Sequence, residues 1–152
     1  MAAGPNASMN SDRSGTITLT IGSRLEHLYL VHALIEGLAR ECEMDEEMKT
    51  ALQIAVIEAG TNAIQHGNVF ASDKIVRFDF EVRPEEVCVW VKDFGKGFDP
   101  SKVADPTDPT TLLDPHGRGI YLMKTLTDVV TFDTRPDHGT TVCLKKRCPG
   151  RG

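Results

Sequence analysis

The chain has 152 residues, the size of one domain with one sizeable core that buries roughly 70% of the surface the unfolded chain exposes. Its 40% hydrophobic and 26% charged residues, with 13 Gly and 8 Pro, exclude the disordered, collagenous and fibrous classes. A net charge of -5, from 17 Lys and Arg against 22 Asp and Glu, argues for no nucleic acid and no anionic membrane as partners, since both are recognised through phosphate charge.

Residues 1–15 lack periodicity and apolar bulk and are expected to form a disordered tail. The domain is expected over 16–146, with 147–152 as a C-terminal tail. Ile17, Leu19 and Ile21 fall on every second position, which predicts a strand from Thr16 to Ile21 with one buried face, stopped by Gly22. Ser23-Arg24-Leu25-Glu26 has the pattern of a capping box. Behind it Leu25, Leu28, Val31, Ile35 and Leu38 recur at helical spacing, so the first helix is predicted over Arg24 to Glu41.

Asp45 is placed to cap a second helix whose first turn carries Glu46 and Glu47, charges that suit the positive end of the helix dipole. Met48, Leu52, Ala55, Ala59 and Ala63 form one apolar stripe, and Ile54, Ile57 and Ile64 a second, so this helix is expected to be covered on two sides. Gly67-Asn68 reads as its stop.

The period then changes to two. Val76, Phe78, Phe80 and Val82 alternate with charged residues, Arg83-Pro84-Glu85-Glu86 supplies a turn, and Val87, Val89 and Val91 alternate again, which predicts a hairpin. Phe98 to His116 carries four prolines among Asp and Thr, too many for a regular element, and is a candidate lid. A short helix is predicted from Gly119 to Leu126, then strands Asp128 to Thr134 and Thr140 to Lys146 around a Pro136-Asp137-His138-Gly139 turn. The element order lacks strict strand and helix alternation, which points to an α+β fold, a two-layer α/β sandwich with a mainly antiparallel sheet and helices on one face.

Cys42, Cys88, Cys143 and Cys148 show no metal-ligand spacing and read as reduced thiols. No apolar run approaches the roughly 20 residues that span a bilayer, and the N-terminus has no signal-peptide pattern, so a cytoplasmic protein is expected. His27, His32, His66 and His138 lack partners at ligand spacing and read as surface or satisfied histidines, while His116, beside Gly117 in the presumed lid, stays a candidate. Trp90, out of phase with Val89 and Val91, faces away from them, to pack beneath helices or at an interface.

Four short motifs carry possible chemistry. Glu58 and Asn62 are neighbours on one helical face, with Gln65 on the same stripe, and a carboxylate beside an amide oxygen suits a general base and a magnesium ligand. The competing reading is a solvated helix face. Asp93-Phe94-Gly95-Lys96-Gly97 ends a strand, where a carboxylate can accept from an exocyclic amino group and glycines let the backbone approach a ligand, or the segment is only a turn. Gly117-Arg118-Gly119 precedes a helix and offers an anion site or a hinge; Gly139-Thr140 is a turn or a ligand-side residue. A eukaryotic-type protein kinase is excluded, because the Asp93-Phe94-Gly95 tripeptide has no accompanying H-R-D, lysine strand or earlier glycine-rich loop.

Taken together, Glu58-Ala-Gly-Thr-Asn62-Ala, Asp93-Phe-Gly95-Lys-Gly97, Gly117-Arg-Gly119 and Gly139-Thr140 occur in the order and approximate spacing of the boxes of the Bergerat-fold ATPases, the histidine-kinase-like superfamily. Within it the chain most closely resembles the bacterial anti-sigma-factor serine/threonine kinases, over about residues 16–146. The resemblance implies an ATP site in which Asn62 holds Mg2+, Glu58 is general base toward a Ser or Thr hydroxyl, Asp93 reads the adenine amino group, and Gly95 and Gly97 shape the pocket. It further implies that Gly117 and Gly119 let the lid wrap the phosphates, with His116 and Arg118 beside them, and that Thr140 lies near the adenine. Relatives often place a basic residue just before the lid glycines, whereas here Pro115 and His116 stand there and Arg118 lies between the glycines, which leaves the γ-phosphate contact open.

By the same resemblance the function is an ATP-dependent protein serine/threonine kinase acting as an anti-sigma regulatory factor. It phosphorylates an anti-anti-sigma (STAS-domain) protein and binds a sigma factor, as a homodimer in many relatives. The alternative is a non-catalytic ATP-binding module that sequesters a sigma factor or other regulator. A histidine kinase would need a phospho-accepting hairpin and a gyrase-like ATPase a transducer domain, for which these residues leave no room.

Overall fold

The computed structural model describes residues 15–97 and 115–148. Strand β1 (Gly15–Gly22) opens the fold and is followed by a 3-10 turn (Leu25–His27), helix α1 (Leu28–Glu41) and helix α2 (Glu46–Asn62). A π turn (Ala63–Gly67) extends α2, and strands β2 (Ile75–Val82) and β3 (Glu86–Lys92) form the first hairpin. Helix α3 (Pro115–Leu126) leads into the second hairpin, β4 (Val129–Arg135) and β5 (Gly139–Arg147). The sheet order is β1-β2-β3-β5-β4 and every neighbouring pair is antiparallel. This is the α+β sandwich expected from the element order.

The two periods of the sequence account for the two layers. Val76, Phe78, Phe80, Val87, Val89 and Val91 are buried on one face of β2 and β3, where they meet Leu52, Ala55, Val56 and Ala59 of α2. Val31, Ile35 and Leu38 of α1 belong to the same core, and α2 contacts both α1 and α3, so α2 is the central helix. The opposite sheet face carries Arg77, Asp79 and Trp90, the last half-buried across from Asp79 and Cys143. Trp90 thus points away from the valines and from the helices, not beneath them. The expected second stripe of α2 is incomplete, because Ile54 is 39% exposed while Gln53 and Val56 are buried. Gln53 is held there by bonds to Glu36 and to the His32 carbonyl of α1.

The N-cap of α2 is as expected, with Asp45 accepting from Met48 N at 2.7 Å. The capping box at Ser23 does not form. Ser23 Oγ donates to the Lys74 carbonyl instead, Glu26 pairs with Arg24, and the chain enters α1 through the 3-10 turn, so the α-helix begins at Leu28 rather than Arg24. Gly67-Asn68 ends the helical run as expected, but the last turn is not α-helical. The α-helical bonding ends at Asn62 and widens into the π turn, closed by Asn68 N donating to the Ala63 carbonyl at 2.8 Å. Helix α3 starts four residues ahead of the predicted Gly119, which places Gly117-Arg118-Gly119 inside its first turns. The predicted lid, Phe98 to His116, lies outside the described residues apart from Pro115 and His116, which open α3.

Candidate functional site

A cleft opens between the C-terminal end of α2 with its π turn and the ends of β3, β4 and β5. Ala59, Asn62, Ala63, His66 and Gly67 line one wall; Val91, Asp93, Gly97, Phe132, Thr140 and Val142 line the other. It holds about 590 Å³ of empty space, its open mouth included. Its walls are mostly apolar, with few polar groups, and the π turn supplies part of one wall, a common place for such turns.

Asp93 is the most constrained of these groups. It is 5% exposed. Its Oδ1 accepts from Gly95 N at 3.0 Å and Thr140 N at 3.1 Å, while Asp93 N donates to the Thr140 carbonyl at 2.9 Å. Oδ2 has no hydrogen-bond partner among the described residues. Burial pushes the Asp93 carboxyl above the usual carboxylate range, and the two backbone bonds pull it partly back. The site therefore presents one acceptor oxygen without a hydrogen-bond partner among the described residues, packed against Gly67 and sharing the cleft with apolar Val91, Phe132 and Val142.

The glycines serve the chain before they serve a ligand. A Cβ on Gly95 would collide with the Gly67 carbonyl, and one on Gly67 would collide with the Asp93 carboxylate. The two glycines thus let the π turn and the turn after β3 interlock, which corrects the expectation that Gly95 is bare to admit a ligand. Gly97, at φ 76, does line the cleft, against the Arg135 carbonyl. Thr140 is buried beside Asp93, and its hydroxyl bonds Thr134 at 3.1 Å.

Glu58 and Asn62 lie one helical turn apart at the end of the cleft nearest α3, both half-buried. Gly119 packs against them so closely that a Cβ would lie 2.9 Å from Glu58 Oε2 and 3.3 Å from Asn62 Nδ2. Burial pushes the Glu58 carboxyl above its ordinary value, and the Arg118 guanidinium, on the exposed side of α3, opposes that shift. Neither Glu58 nor the Asn62 amide has a hydrogen bond to another described residue. Gln65, expected on the same stripe, falls in the π turn, which changes the helical phase after Asn62.

A profile described as a histidine kinase-like ATPase domain matches residues 21–146. The chain belongs to the histidine kinase-like ATPase domain family. As such it binds ATP. This ATPase domain is 34% identical over 119 residues to the anti-sigma F factor of Clostridium botulinum (strain Alaska E43 / Type E3), covering 77% of the chain and 80% of that protein. It is 31% identical over 140 residues to the serine-protein kinase RsbW of Bacillus velezensis, covering 88% and 86%. Its fold superposes on the crystal structure of the RsbU and RsbW domains of a Mycobacterium tuberculosis protein with a TM-score of 0.62 at 18% identity, covering 88% of the chain and 32% of that longer one.

Of the residues singled out from sequence, the cleft of this ATPase domain brings together Asn62, Asp93, Gly97 and Thr140. Gly95 supports them from behind, and Glu58 with Gly119 stands beside Asn62. Gly117 is buried and Arg118 exposed in the first turns of α3; the side chain of His116 lies outside the described residues. Sequence reasoning read Gly67 only as part of a helix stop and set aside His66, which is exposed; both line the cleft. Among the described residues no cluster of His, Cys, Asp and Glu could hold a metal ion by itself, and no helix is long and apolar enough to cross a membrane.

Proposed function

We propose that this chain is an ATP-dependent protein serine/threonine kinase of the anti-sigma type that phosphorylates an anti-anti-sigma (STAS-domain) partner in the cytoplasm. The observation that carries the reading is Glu58 beside Asn62 at the α3 end of the cleft, a carboxylate without a hydrogen-bonded partner among the described residues. Binding alone does not call for a base there. Relatives named serine-protein kinase and anti-sigma F factor support the same reading.

In this proposal Asp93 Oδ2 accepts the adenine amino group while Val91, Phe132 and Val142 cover the ring. Thr140 lies beside it. In this reading the phosphates run toward the first turn of α3, where Gly119 brings the helix backbone against Glu58 and Asn62, the helix N-terminus favours anions, and His116 and Arg118 are the cationic candidates beside Gly117. The Asn62 amide oxygen, next to a carboxylate and open to the cleft, is a hard oxygen donor that fits Mg2+, an ion usually shared between few protein groups and phosphates. When bound, the ion supplies neutralising charge on the phosphates. Glu58 takes the proton of the incoming Ser or Thr hydroxyl as its oxygen bonds to the γ-phosphorus and ADP leaves. The raised basicity of Glu58 suits a group that must hold that proton. A sigma factor and a second copy of the chain are further partners of this reading, and 16–146 is its catalytic domain between tails 1–15 and 147–152.

The test is Glu58→Gln, which keeps shape and removes basicity. Phosphorylation of a STAS partner from labelled ATP should fall by roughly 10²–10⁴-fold with ATP binding retained. Transfer at the wild-type rate would make Glu58 structural. No transfer by the wild type to a STAS protein that it binds would favour a sequestering module instead.

A further inference from the structure

Asn68, which sequence patterning assigns to a helix stop, is 2% exposed and fully bonded. Its Nδ2 donates to Ser23 Oγ and to the Ile75 carbonyl, both at 2.8 Å, and its Oδ1 accepts from Phe94 N at 2.8 Å. Ser23 Oγ in turn donates to the Lys74 carbonyl at 2.8 Å. One side chain thus ties the end of β1, the start of β2 and the residue directly after Asp93 to the π turn.

Three further observations bear on its role. The Phe94 N–H belongs to the peptide that follows Asp93, so the bond to Asn68 fixes that peptide plane and the course of the chain carrying the carboxylate. The Gly67 carbonyl, one residue before Asn68, rests on Gly95, whose N–H holds Asp93 Oδ1. Finally, the residues after Asn68 adopt left-handed backbone, Val69 at φ 51 and Phe70 at φ 57, and are 70% and 52% exposed. Such a pair, one of them β-branched, persists only where its surroundings hold it, and such strain concentrates at functional sites.

We propose that Asn68 is the positioning residue for Asp93: it clamps the turn after β3 to the π turn and so holds the adenine-reading carboxylate in place. The proposal rests on the assignment of Asp93 to adenine. A buried amide with this many bonds also has a purely structural role open to it. The two differ in coupling, because a residue acting through Asp93 has nothing left to act on once Asp93 is changed.

The experiment is a double-mutant cycle in ATP affinity, read by calorimetric titration of the full chain with ATP and, in parallel, GTP. Asn68→Ala should weaken ATP by about tenfold, by loosening a hydrogen bond to a charged group, and should erode the preference for ATP over GTP. In an Asp93→Asn background the same change should cost little more. Asp45→Ala, which removes the N-cap at the far end of α2, gives a destabilised reference that keeps the preference for ATP. If Asn68→Ala does not fold, Asn68→Ser, which keeps a donor and an acceptor at shorter reach, goes through the same cycle. Additive losses, or an intact ATP preference in the Asn68 variant, overturn the proposal alone. An Asp93→Asn variant that binds ATP like the wild type overturns the adenine assignment and the proposal with it.

Discussion

Replacing Asp93 by Asn separates recognition from folding at a single atom. Oδ1 already accepts two backbone N–H bonds, from Gly95 and Thr140, and an asparagine oxygen in the same place can accept both. The change is therefore confined to Oδ2, where an acceptor becomes an NH2 donor aimed at the position proposed for the adenine amino group. A hydrogen bond to a charged acceptor contributes about 1.5–3 kcal/mol, so losing it weakens ATP about 10- to 150-fold, before any repulsion between the two donors. Stability moves the other way. Burial raises the folded-state pKa of Asp93 above its unfolded value, so the stability it contributes is fully present below the unfolded pKa and is lost as pH rises through the folded pKa. Asparagine has no such loss, and Asp93→Asn should melt at or above the wild-type temperature at neutral pH. Calorimetric titration with ATP and thermal melts across pH 4 to 8 read the two halves. Undiminished ATP affinity in a variant with that stable melt would refute the reasoning about Oδ2; a collapsed melt would refute the reasoning about Oδ1.

As the proposed general base Glu58 must be ionised to accept a proton, so the acid limb of phosphotransfer should lie above the ordinary carboxylate range; Arg118→Ala, by removing the cation that lowers the Glu58 pKa, should move that limb to higher pH. A kcat against pH profile checks this, and a limb that stays in place counts against the pairing. Val69 holds a left-handed conformation that costs a β-branched residue of order 1–2 kcal/mol, and its side chain is largely exposed. Val69→Asn should accordingly raise stability by about 1 kcal/mol in denaturant titration, with no gain meaning that the segment relaxes without cost.

What the sequence made legible is what near neighbours encode. The alternation of Val76, Phe78 and Phe80 needs only the two-residue period of a strand, and it yields the buried face of β2 as observed. The four-residue step from Glu58 to Asn62 needs only the helical repeat, and the structure keeps both beside Gly119. Sequence patterning failed where a side chain is committed to a distant partner. Ser23 has every local reason to cap α1, yet its hydroxyl goes to Lys74, 51 residues on. Asn68 looks like a helix stop but bonds groups 45 residues before it and 26 residues after it, and no period marks such contacts. The π turn escaped for a related reason: Ala63 to Gly67 has helical composition, and the wider turn ends where Gly67 packs against Asp93 and Gly95, a contact 26 and more residues away in sequence.

The strand order has a kinetic corollary. β2 with β3, and β4 with β5, are hairpins of adjacent segments that can close early, whereas the β3–β5 pairing joins them across the long connection containing α3. The bonds between Asp93 and Thr140 lie at the end of that seam. The end of the cleft that carries Asp93 and Thr140 is therefore expected to assemble late and to part early when the sheet opens locally. If ATP binds in this cleft as proposed, it closes the seam by mass action, and the unliganded and ATP-bound chains should differ most in amide-hydrogen protection along β3 and β5.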